Sequence, residues 1–298
     1  MMYFSGKINL YFLGGKRMEG RLLTKEILLE FVNHLKLEEK SDNTIEKYSR
    51  DVNAFAVYLN GKTVSKEVVI KYKQKLINDG YVVSSINSML ASINSLLDYL
   101  GRSDCKVKSI KTQRQIYCPE NKELSKSEYL RLLSATERNH NNRLNLILQT
   151  ICGTGIRISE LKFITVESIR NSTVEVSCKG KNRVILIVKQ LKKKLLRYAA
   201  EQNIKSGSIF ITKSGKPINR SNIWREMKAL CKQANVNPDK VFPHNLRHLF
   251  ARTFYKLEKD IAKLADILGH SSINTTRIYI ISTGYEHMKR MENMRLVI

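Results

Sequence analysis

Apolar residues recur at intervals of three and four along most of this 298-residue chain, and that spacing restricts it to a mainly helical fold. The clearest stripe follows Ser41 and ends at Gly61, since glycine is well suited to close a helix. Its apolar members are Ile45, Tyr48, Val52, Phe55 and Leu59. Equivalent stripes at 24–39, 65–77 and 84–100 predict three more helices. The first hundred residues therefore predict a four-helix domain.

The second half combines helices with a short β-hairpin. Helical patterns begin near Ser125 and cover 143–152, 190–202 and 221–234, and two further helices follow Phe242. β-branched residues at 173–177 and 184–188 predict two strands joined by the basic turn CKGKNR, and 208–218 predicts another short strand. The expected fold class is mainly α with a small antiparallel β-sheet.

Helical periodicity is lost between the two halves. Residues 103–120 are rich in lysine and end near Cys118-Pro119, which predicts a linker. The helical domain is then predicted at 21–102 and the second domain at 121–298, with a C-terminal tail after Tyr279. Residues 1–20 precede the regular pattern as an N-terminal extension, and Met18 is an alternative start to Met1.

The charge balance indicates a polyanionic partner. There are 52 basic and 27 acidic residues, which gives a net charge of +25 and a pI near 9.9. Nucleic acid is the leading interpretation, because the charge is spread along a chain with folded periodicity; a composition in which lysine is merely common is the alternative. The outward faces of the first domain carry Lys47, Arg50, Lys66, Lys71, Lys73 and Lys75, and one side of the helix predicted at 221–234 carries Arg220, Arg225 and Lys228 as candidate DNA contacts. A solvated basic surface is the alternative for both sets.

Cysteine usage and hydropathy favour a cytoplasmic protein. The five cysteines are scattered and form no C-x-x-C pair, so neither a disulfide framework nor a cysteine zinc site is expected. No apolar run approaches the roughly 18 to 20 residues of a membrane helix. The N-terminal stretch is a poor export signal because Lys7 and Asn9 interrupt it.

Three short segments place polar side chains where folding alone does not require them. They read GTGIRISEL (153–161), PHNLRH (243–248) and LGHSSINTTRIY (268–279). Pro243 suits a first helical turn, so His244 and Arg247 share one face of a helix N-terminus, where phosphate oxygens bind readily. Gly269 predicts a left-handed helix end, which places His270 in a turn nine positions before Tyr279.

These side chains suit cleavage of a phosphodiester. The five-coordinate phosphorus carries extra negative charge, and the planar, permanently charged forks of Arg157 and Arg247 match its oxygens. The Tyr279 phenol is the candidate nucleophile if a neighbour takes its proton. His244 is the candidate acid/base, and His270 is assigned a bond to the phosphate.

Two other interpretations of the same residues fit less well. GTGIRIS lacks the lysine of a nucleotide-binding P-loop. His244 and His248 have the spacing of a helical zinc pair, but no glutamate follows the first histidine and no cysteine cluster lies near it. His248 is instead expected to pack, or to bond a backbone carbonyl, behind the site. No P-loop nucleotide and no zinc are therefore expected from these residues.

The three segments, in this order, resemble the tyrosine recombinase (phage-integrase) family. The resemblance covers roughly Leu22 to the C-terminus and is closest to the short, two-domain Xer-like enzymes. It implies a SAM-like core-binding domain that clamps DNA, a C-terminal α+β catalytic domain, and site-specific recombination of double-stranded DNA through a covalent 3′-phosphotyrosyl intermediate. It implies that the reaction needs no cofactor and no metal. It also implies a tetramer on two DNA sites, in which the tail docks on a neighbouring subunit; folding of the tail onto its own domain is the alternative.

The resemblance also implies a catalytic lysine on the β-hairpin, which protonates the leaving 5′-oxygen. The turn C-K-G-K-N-R is one residue shorter than the family's G-K-G-x-K-x-R. Alignment on the K-G pair selects Lys179, which we prefer, whereas alignment on Arg183 selects Lys181. Glu160, three residues after Arg157, is a candidate to orient an active-site group, with capping or a surface position as alternatives.

The sequence is compatible with two alternative functions. A type IB-like topoisomerase uses nearly the same site, and a DNA-binding protein with a decayed site would keep the charge without the chemistry. After the cleavage segment the chain reads IYIIS, where relatives often continue with threonine and histidine. Integration of a mobile element and resolution of chromosome dimers are therefore both compatible with the sequence.

Overall fold

The computed structural model of the chain describes residues 22–112, 122–178, 181–212, 214–280, 288 and 291–296. The chain divides into two compact units, Met1–Arg114 and Gln115–Ile298. The mainly helical fold class with one small antiparallel sheet, predicted from the apolar periodicity, is confirmed.

The first unit consists of four helices around an apolar core. They are α1 Lys25–Leu37, α2 Asp42–Leu59, α3 Lys66–Asn78 and α4 Val83–Tyr99, followed by a short 3₁₀ helix, Ser103–Cys105. Thr24 and Ser65 cap α1 and α3 by accepting backbone N–H groups, as expected for hydroxyl residues at helix starts. The most deeply buried side chains are Phe31, Val52, Phe55, Ile93, Leu96 and Leu97.

Several basic side chains of this unit make internal contacts. Lys47 Nζ pairs with the buried Asp51 and donates to the Ser88 carbonyl at 3.0 Å. Lys73 Nζ donates to the backbone carbonyl of Lys108 at 2.8 Å. Such bonds compete with any contact that these ammonium groups would make to a DNA phosphate.

The first part of the predicted linker packs on the helical unit. The Asn94 side chain donates to the Val107 carbonyl at 2.9 Å and accepts its N–H at 3.1 Å. Asn87 makes the same two-way contact with Ile110. These amide side chains on α4 hold a segment that has no periodicity of its own, so the sequence pattern did not indicate its attachment.

The second unit contains eight helices and one hairpin among the described residues. The helices are α5 Lys126–Arg138, α6 Asn142–Thr154, α7 Val166–Arg170, α8 Lys189–Glu201, α9 Arg220–Ala234, α10 Pro243–Glu258, α11 Ile261–Leu268 and α12 Ile273–Arg277. Two 3₁₀ helices, Ile158–Phe163 and Pro238–Lys240, join them. The strands are β1 Thr173–Cys178 and β2 Lys181–Leu186, with Thr173 opposite Leu186 and Cys178 opposite Lys181.

The strands reach closer to the turn than the sequence pattern predicted. Pairing continues through Arg183, which lies opposite Val176, so only Lys179 and Gly180 separate the two strands. Arg183 is kept in the strand by a buried ion pair with Glu160, which local β-propensity does not reveal. The strand predicted at 208–218 is reduced to isolated bridges, one of them between Ile211 and Pro217. Proline lacks the N–H that a longer ladder would need.

Helix α6 runs from the buried core to the edge of the candidate site, where it ends against α10. Leu144, Ile147 and Ile151 on α6 are fully buried. The helix ends at Gly155, whose φ of +64° is left-handed, and a Cβ there would lie 2.6 Å from a ring carbon of Phe250. Glycine therefore lets α6 end directly against α10.

Candidate active site

Tyr279 lies just after α12, and only 6% of its surface is exposed. Three imidazoles surround its ring. His248 stacks on it, with ring centroids 4.2 Å apart and planes at 20°, while the His244 and His270 rings each lie at 5.1 Å. Apolar packing is supplied by Ala251, Leu264 and Leu268. The predicted nucleophile therefore contacts both histidines that were predicted to act with it.

Arg247 is carried by α10 into the interior, where 1% of its surface is exposed. Its guanidinium donates to the carbonyl oxygens of Gly155 and Leu268, the latter at 2.6 Å, and to Nε2 of His270 at 3.0 Å. Its Cζ lies 5.8 Å from the ring centroid of Tyr279. Burial lowers the pKa of Arg247 to about 10, so the group stays charged at neutral pH.

The hydrogen bonds of His270 define its tautomer. A guanidinium nitrogen only donates, so Nε2 of His270 accepts from Arg247 and Nδ1 carries the proton. Nδ1–H donates to Oγ1 of the fully buried Thr276 at 2.9 Å. Burial, followed by the positive charges of Arg247 and Arg157, lowers the pKa of His270 to about 4. The ring is therefore neutral at pH 7.

Arg157 supplies the more accessible guanidinium, with 38% of its side chain exposed. Nη1 pairs with Glu160 Oε1 at 2.9 Å, and Nη2 donates to the carbonyl of Gly269 at 3.3 Å. Glu160 is 2% exposed and also accepts the backbone N–H of Arg157, so it both caps the 3₁₀ helix and orients the side chain. Burial opposes its ionisation, but the Arg157 N–H and the Arg183 guanidinium outweigh that effect and lower the pKa of Glu160.

His244 stands in the first turn of α10 and is exposed at the surface of the site. Loss of water around the ring, and then the charges of Arg247 and Arg157, lower its pKa below 6.5. At pH 7 it is therefore neutral and able to accept a proton. Lys179 lies outside the described residues, and of Lys181 the structure describes the backbone, which begins β2.

His248 packs within the site, which is one of the two roles expected of it. It stacks on Tyr279 and meets His244 edge-on at 4.8 Å. The i, i+4 spacing of the two histidines on α10 is a local signal for their contact. Two other contacts were not anticipated from the sequence: Thr276 binds the imidazole of His270, and Arg183 joins Glu160.

A cavity of 520 Å³ opens beside His244. Its lining combines the exposed ring of Trp224 with Arg220 and Arg225, three side chains of α9. The remaining lining residues are Ile158, Ser221, Phe242 and Pro243. An aromatic surface with two guanidiniums is compatible with the DNA contacts predicted for α9.

No group of three or more histidine, cysteine, aspartate or glutamate side chains is arranged to hold a metal ion within the described part of the chain. Within that same part, none of the helices has the length and apolar character needed to cross a bilayer.

Fold and site together define a protein equipped to cleave a phosphodiester through a tyrosine nucleophile. The second of two mainly helical units brings a tyrosine, two arginines and the predicted histidines together, as nucleophilic attack on a phosphodiester requires.

Comparison with known proteins identifies the family. The phage integrase family model matches residues 122–284, and the model of the phage integrase N-terminal SAM-like domain matches residues 28–104. The chain belongs to the phage integrase family and has the two-domain Xer-like architecture that its three segments predicted.

Named relatives cover nearly the whole chain. Tyrosine recombinase XerA of Pyrococcus horikoshii is 28% identical over 285 residues, which is 93% of this chain and 96% of the relative. Tyrosine recombinase XerD of Halalkalibacterium halodurans is 29% identical over 277 residues, 85% of this chain and 91% of the relative. The enzyme class of the chain is thus tyrosine recombinase, as predicted.

Two solved structures share the fold. The post-cleavage complex of the XerH site-specific recombinase with a palindromic difH substrate gives a TM-score of 0.70 at 17% identity, covering 92% of this chain and 89% of that chain. A lambda integrase dimer, residues 75–356, bound to a COC′ core site gives 0.72 at 16% identity, covering 88% and 96%.

Proposed function

We propose that this protein recombines specific sites in double-stranded DNA, cutting each strand through Tyr279 and holding the broken end as a 3′-phosphotyrosine. The observation that carries the proposal is the contact of the Tyr279 ring with His244, His270 and Arg247, side chains from two separate sequence segments. A covalent phosphotyrosine conserves the energy of the phosphodiester bond, so a DNA hydroxyl can rejoin the strand without a nucleotide cofactor.

The first step forms one bond and breaks another. The Tyr279 oxygen attacks phosphorus, its proton passes to the neutral His244, and the bond from phosphorus to the 5′-oxygen breaks. The leaving 5′-oxygen takes a proton from the hairpin lysine, assigned to Lys179 with Lys181 as the alternative. Arg157 and Arg247 stabilise the charge on the non-bridging oxygens.

His270 binds the same phosphate after its neutral ring has taken up a second proton. Without DNA its Nε2 accepts from Arg247. Burial, followed by the positive charges of Arg247 and Arg157, lowers the pKa of His270. A bound phosphate offsets those charges and raises the pKa, and a ring that takes up a proton at Nε2 can donate to a phosphate oxygen.

Assembly on DNA follows the same proposal. One relative of known structure is a lambda integrase tetramer bound to a Holliday junction. By analogy, four copies of this chain join two DNA sites, with domains 21–102 and 121–298 both contacting the duplex and the tail after Tyr279 reaching a neighbouring subunit. We place the protein in the cytoplasm, where its DNA would be accessible.

A covalent trap on duplexes of random sequence tests the proposal and selects the target site in the same experiment. The duplexes, each nicked so that the fragment bearing the 5′-hydroxyl diffuses away, are incubated with the protein, and SDS-resistant adducts are captured and sequenced. Selected sites should share a sequence, and Tyr279→Phe should bind them without forming adducts. Adducts with no shared sequence, or their absence in the unsubstituted protein, would contradict the proposal.

Two marked copies of a selected site then separate recombination from topoisomerase action. A recombinase yields recombinant product from the two copies. Efficient relaxation of supercoiled DNA with no recombinant product would instead identify a type IB-like topoisomerase.

A further inference from the structure

We propose that Arg183 is a positioning residue that fixes the β1–β2 hairpin against the two other parts of the active site. Its side chain on β2 is 10% exposed. Nη2 pairs with Oε2 of Glu160, and Nη1 donates to the carbonyl of Ile267 at 2.8 Å. One guanidinium therefore joins the hairpin, the Arg157 segment and the end of α11.

Glu160 divides its two oxygens between two arginines. Oε1 binds Arg157 and Oε2 binds Arg183. The backbone N–H of Arg157 is its third donor, and the carboxylate is 2% exposed, so loss of either guanidinium leaves a buried charge that is less well compensated. The orientation of Arg157 and the position of the hairpin are thereby linked through one buried group.

The aliphatic stem of Arg183 supports the turn that carries His270. A Cβ on Gly269 would overlap Cδ of Arg183, so the two residues are in direct contact. The Gly269 carbonyl also accepts from Arg157 at 3.3 Å. Arg183 thus touches the turn directly, and Arg157 binds a carbonyl of the same turn.

A fixed hairpin is needed most for protonation of the leaving 5′-oxygen. That role of the hairpin rests on the proposed function, in which Lys179 or Lys181 donates the proton. Arg183 is only two and four residues from these lysines, and it binds both Glu160 and the end of α11 from β2. Loss of Arg183 should therefore impair protonation of the leaving group more than attack by Tyr279.

Replacing the bridging 5′-oxygen with sulfur isolates that step. A thiol has a pKa of about 8.5, so a thiolate leaves without a proton donor, whereas an alkoxide does not. The bond from phosphorus to sulfur breaks and the sulfur departs as the anion. Adduct formation on the sulfur substrate then reports attack and phosphate binding without the contribution of the hairpin lysine.

The experiment compares adduct rates on oxygen and sulfur substrates for Arg183→Ala, Arg183→Lys and a matched control, Arg143→Ala. Arg143 makes the same kind of contacts, to Glu226 at 2.7 Å and to the Ile211 carbonyl at 3.0 Å. It stands about 18 Å along α6 from the end that faces the site. Its removal deletes a similar ion pair within the same unit.

We expect Arg183→Ala to raise the ratio of sulfur to oxygen rates at least about tenfold, since general acids contribute about 10² to 10⁴ in rate. Arg183→Lys cannot bind both partners in the geometry of the fork and should raise the ratio in the same direction, which covers the case in which the alanine variant does not fold. Arg143→Ala should keep the wild-type ratio.

Equal loss on both substrates in both Arg183 variants would overturn the inference, because Arg183 would then stabilise only the fold or the phosphate site. A wild-type protein that forms no adduct on either substrate would count against the proposed function itself. The two failures are therefore distinguishable.

Discussion

Acidification should destabilise the second unit through the histidines that surround Tyr279. Burial is the first cause that lowers the pKa of both His248 and His270 from 6.5 to about 4. The folded state therefore keeps both rings neutral while the unfolded chain takes up protons below pH 6.5. Stability is full above that value and is lost progressively as the pH falls towards 4.

The size of the effect follows from these pKa values. At pH 5 each ring contributes a loss of about 2 kcal/mol, or about 1 kcal/mol once partial solvent screening is allowed for. The pair should therefore lower the free energy of unfolding by about 2 to 4 kcal/mol between pH 7 and pH 5. His244, whose pKa is lowered as well, acts in the same direction.

Tryptophan fluorescence isolates the relevant unit. Trp224 is the single tryptophan of the chain and lies on α9 in the second unit. Urea unfolding followed at this residue should show the loss at pH 5 in the wild type, and a double variant, His248→Gln with His270→Gln, should lose most of the pH dependence. His140→Asn is the matched control because His140 is exposed, and asparagine tolerates its φ of +49°.

Equal stability of the wild-type protein at pH 7 and pH 5 would refute the reasoning. So would a double variant whose stability falls by as much as that of the wild type, because the proton uptake would then occur elsewhere in the chain.

Two further predictions concern the hairpin and the turn that it supports. Gly269→Ala should lower the free energy of unfolding by about 1 to 3 kcal/mol, because a left-handed φ of +63° is strained for alanine and the new Cβ displaces Arg183. Urea unfolding measures the loss of stability, and adduct rates measure the effect of displacing Arg183. Lys179→Ala should abolish cleavage of oxygen substrates while sparing sulfur substrates, whereas Lys181→Ala should cleave both; the reverse pattern would transfer the role to Lys181.

The features that could be predicted from the sequence are those set by local pattern. The spacing of apolar residues gave all four helices of the first unit, with ends that differ by a few residues from the observed ones. Gly269 ends α11 in a left-handed conformation, and Pro243 begins α10, as their chemistry indicated. Order and spacing of the three segments indicated the family, because no single helix or strand requires those polar residues.

The features that could not be predicted depend on contacts between distant segments. That Glu160 is buried and shared between two arginines depends on Arg183, which is 23 residues away and held in a strand that the pattern placed in a turn. Lys47 was expected to face DNA, but a buried carboxylate on its own helix and a carbonyl on α4 bind it. Sequence spacing does not specify such tertiary partners.

The central claim is that the phenol of Tyr279 becomes the covalent link to DNA. Adducts trapped on a selected nicked duplex are digested with protease and nuclease, and the remaining nucleotide-bearing peptide is sequenced by mass spectrometry. The account predicts a single modified residue, Tyr279, joined to a 3′-phosphate, and no adduct from Tyr279→Phe. A nucleotide mapped to a different residue, or a 5′-phosphate linkage, would contradict it.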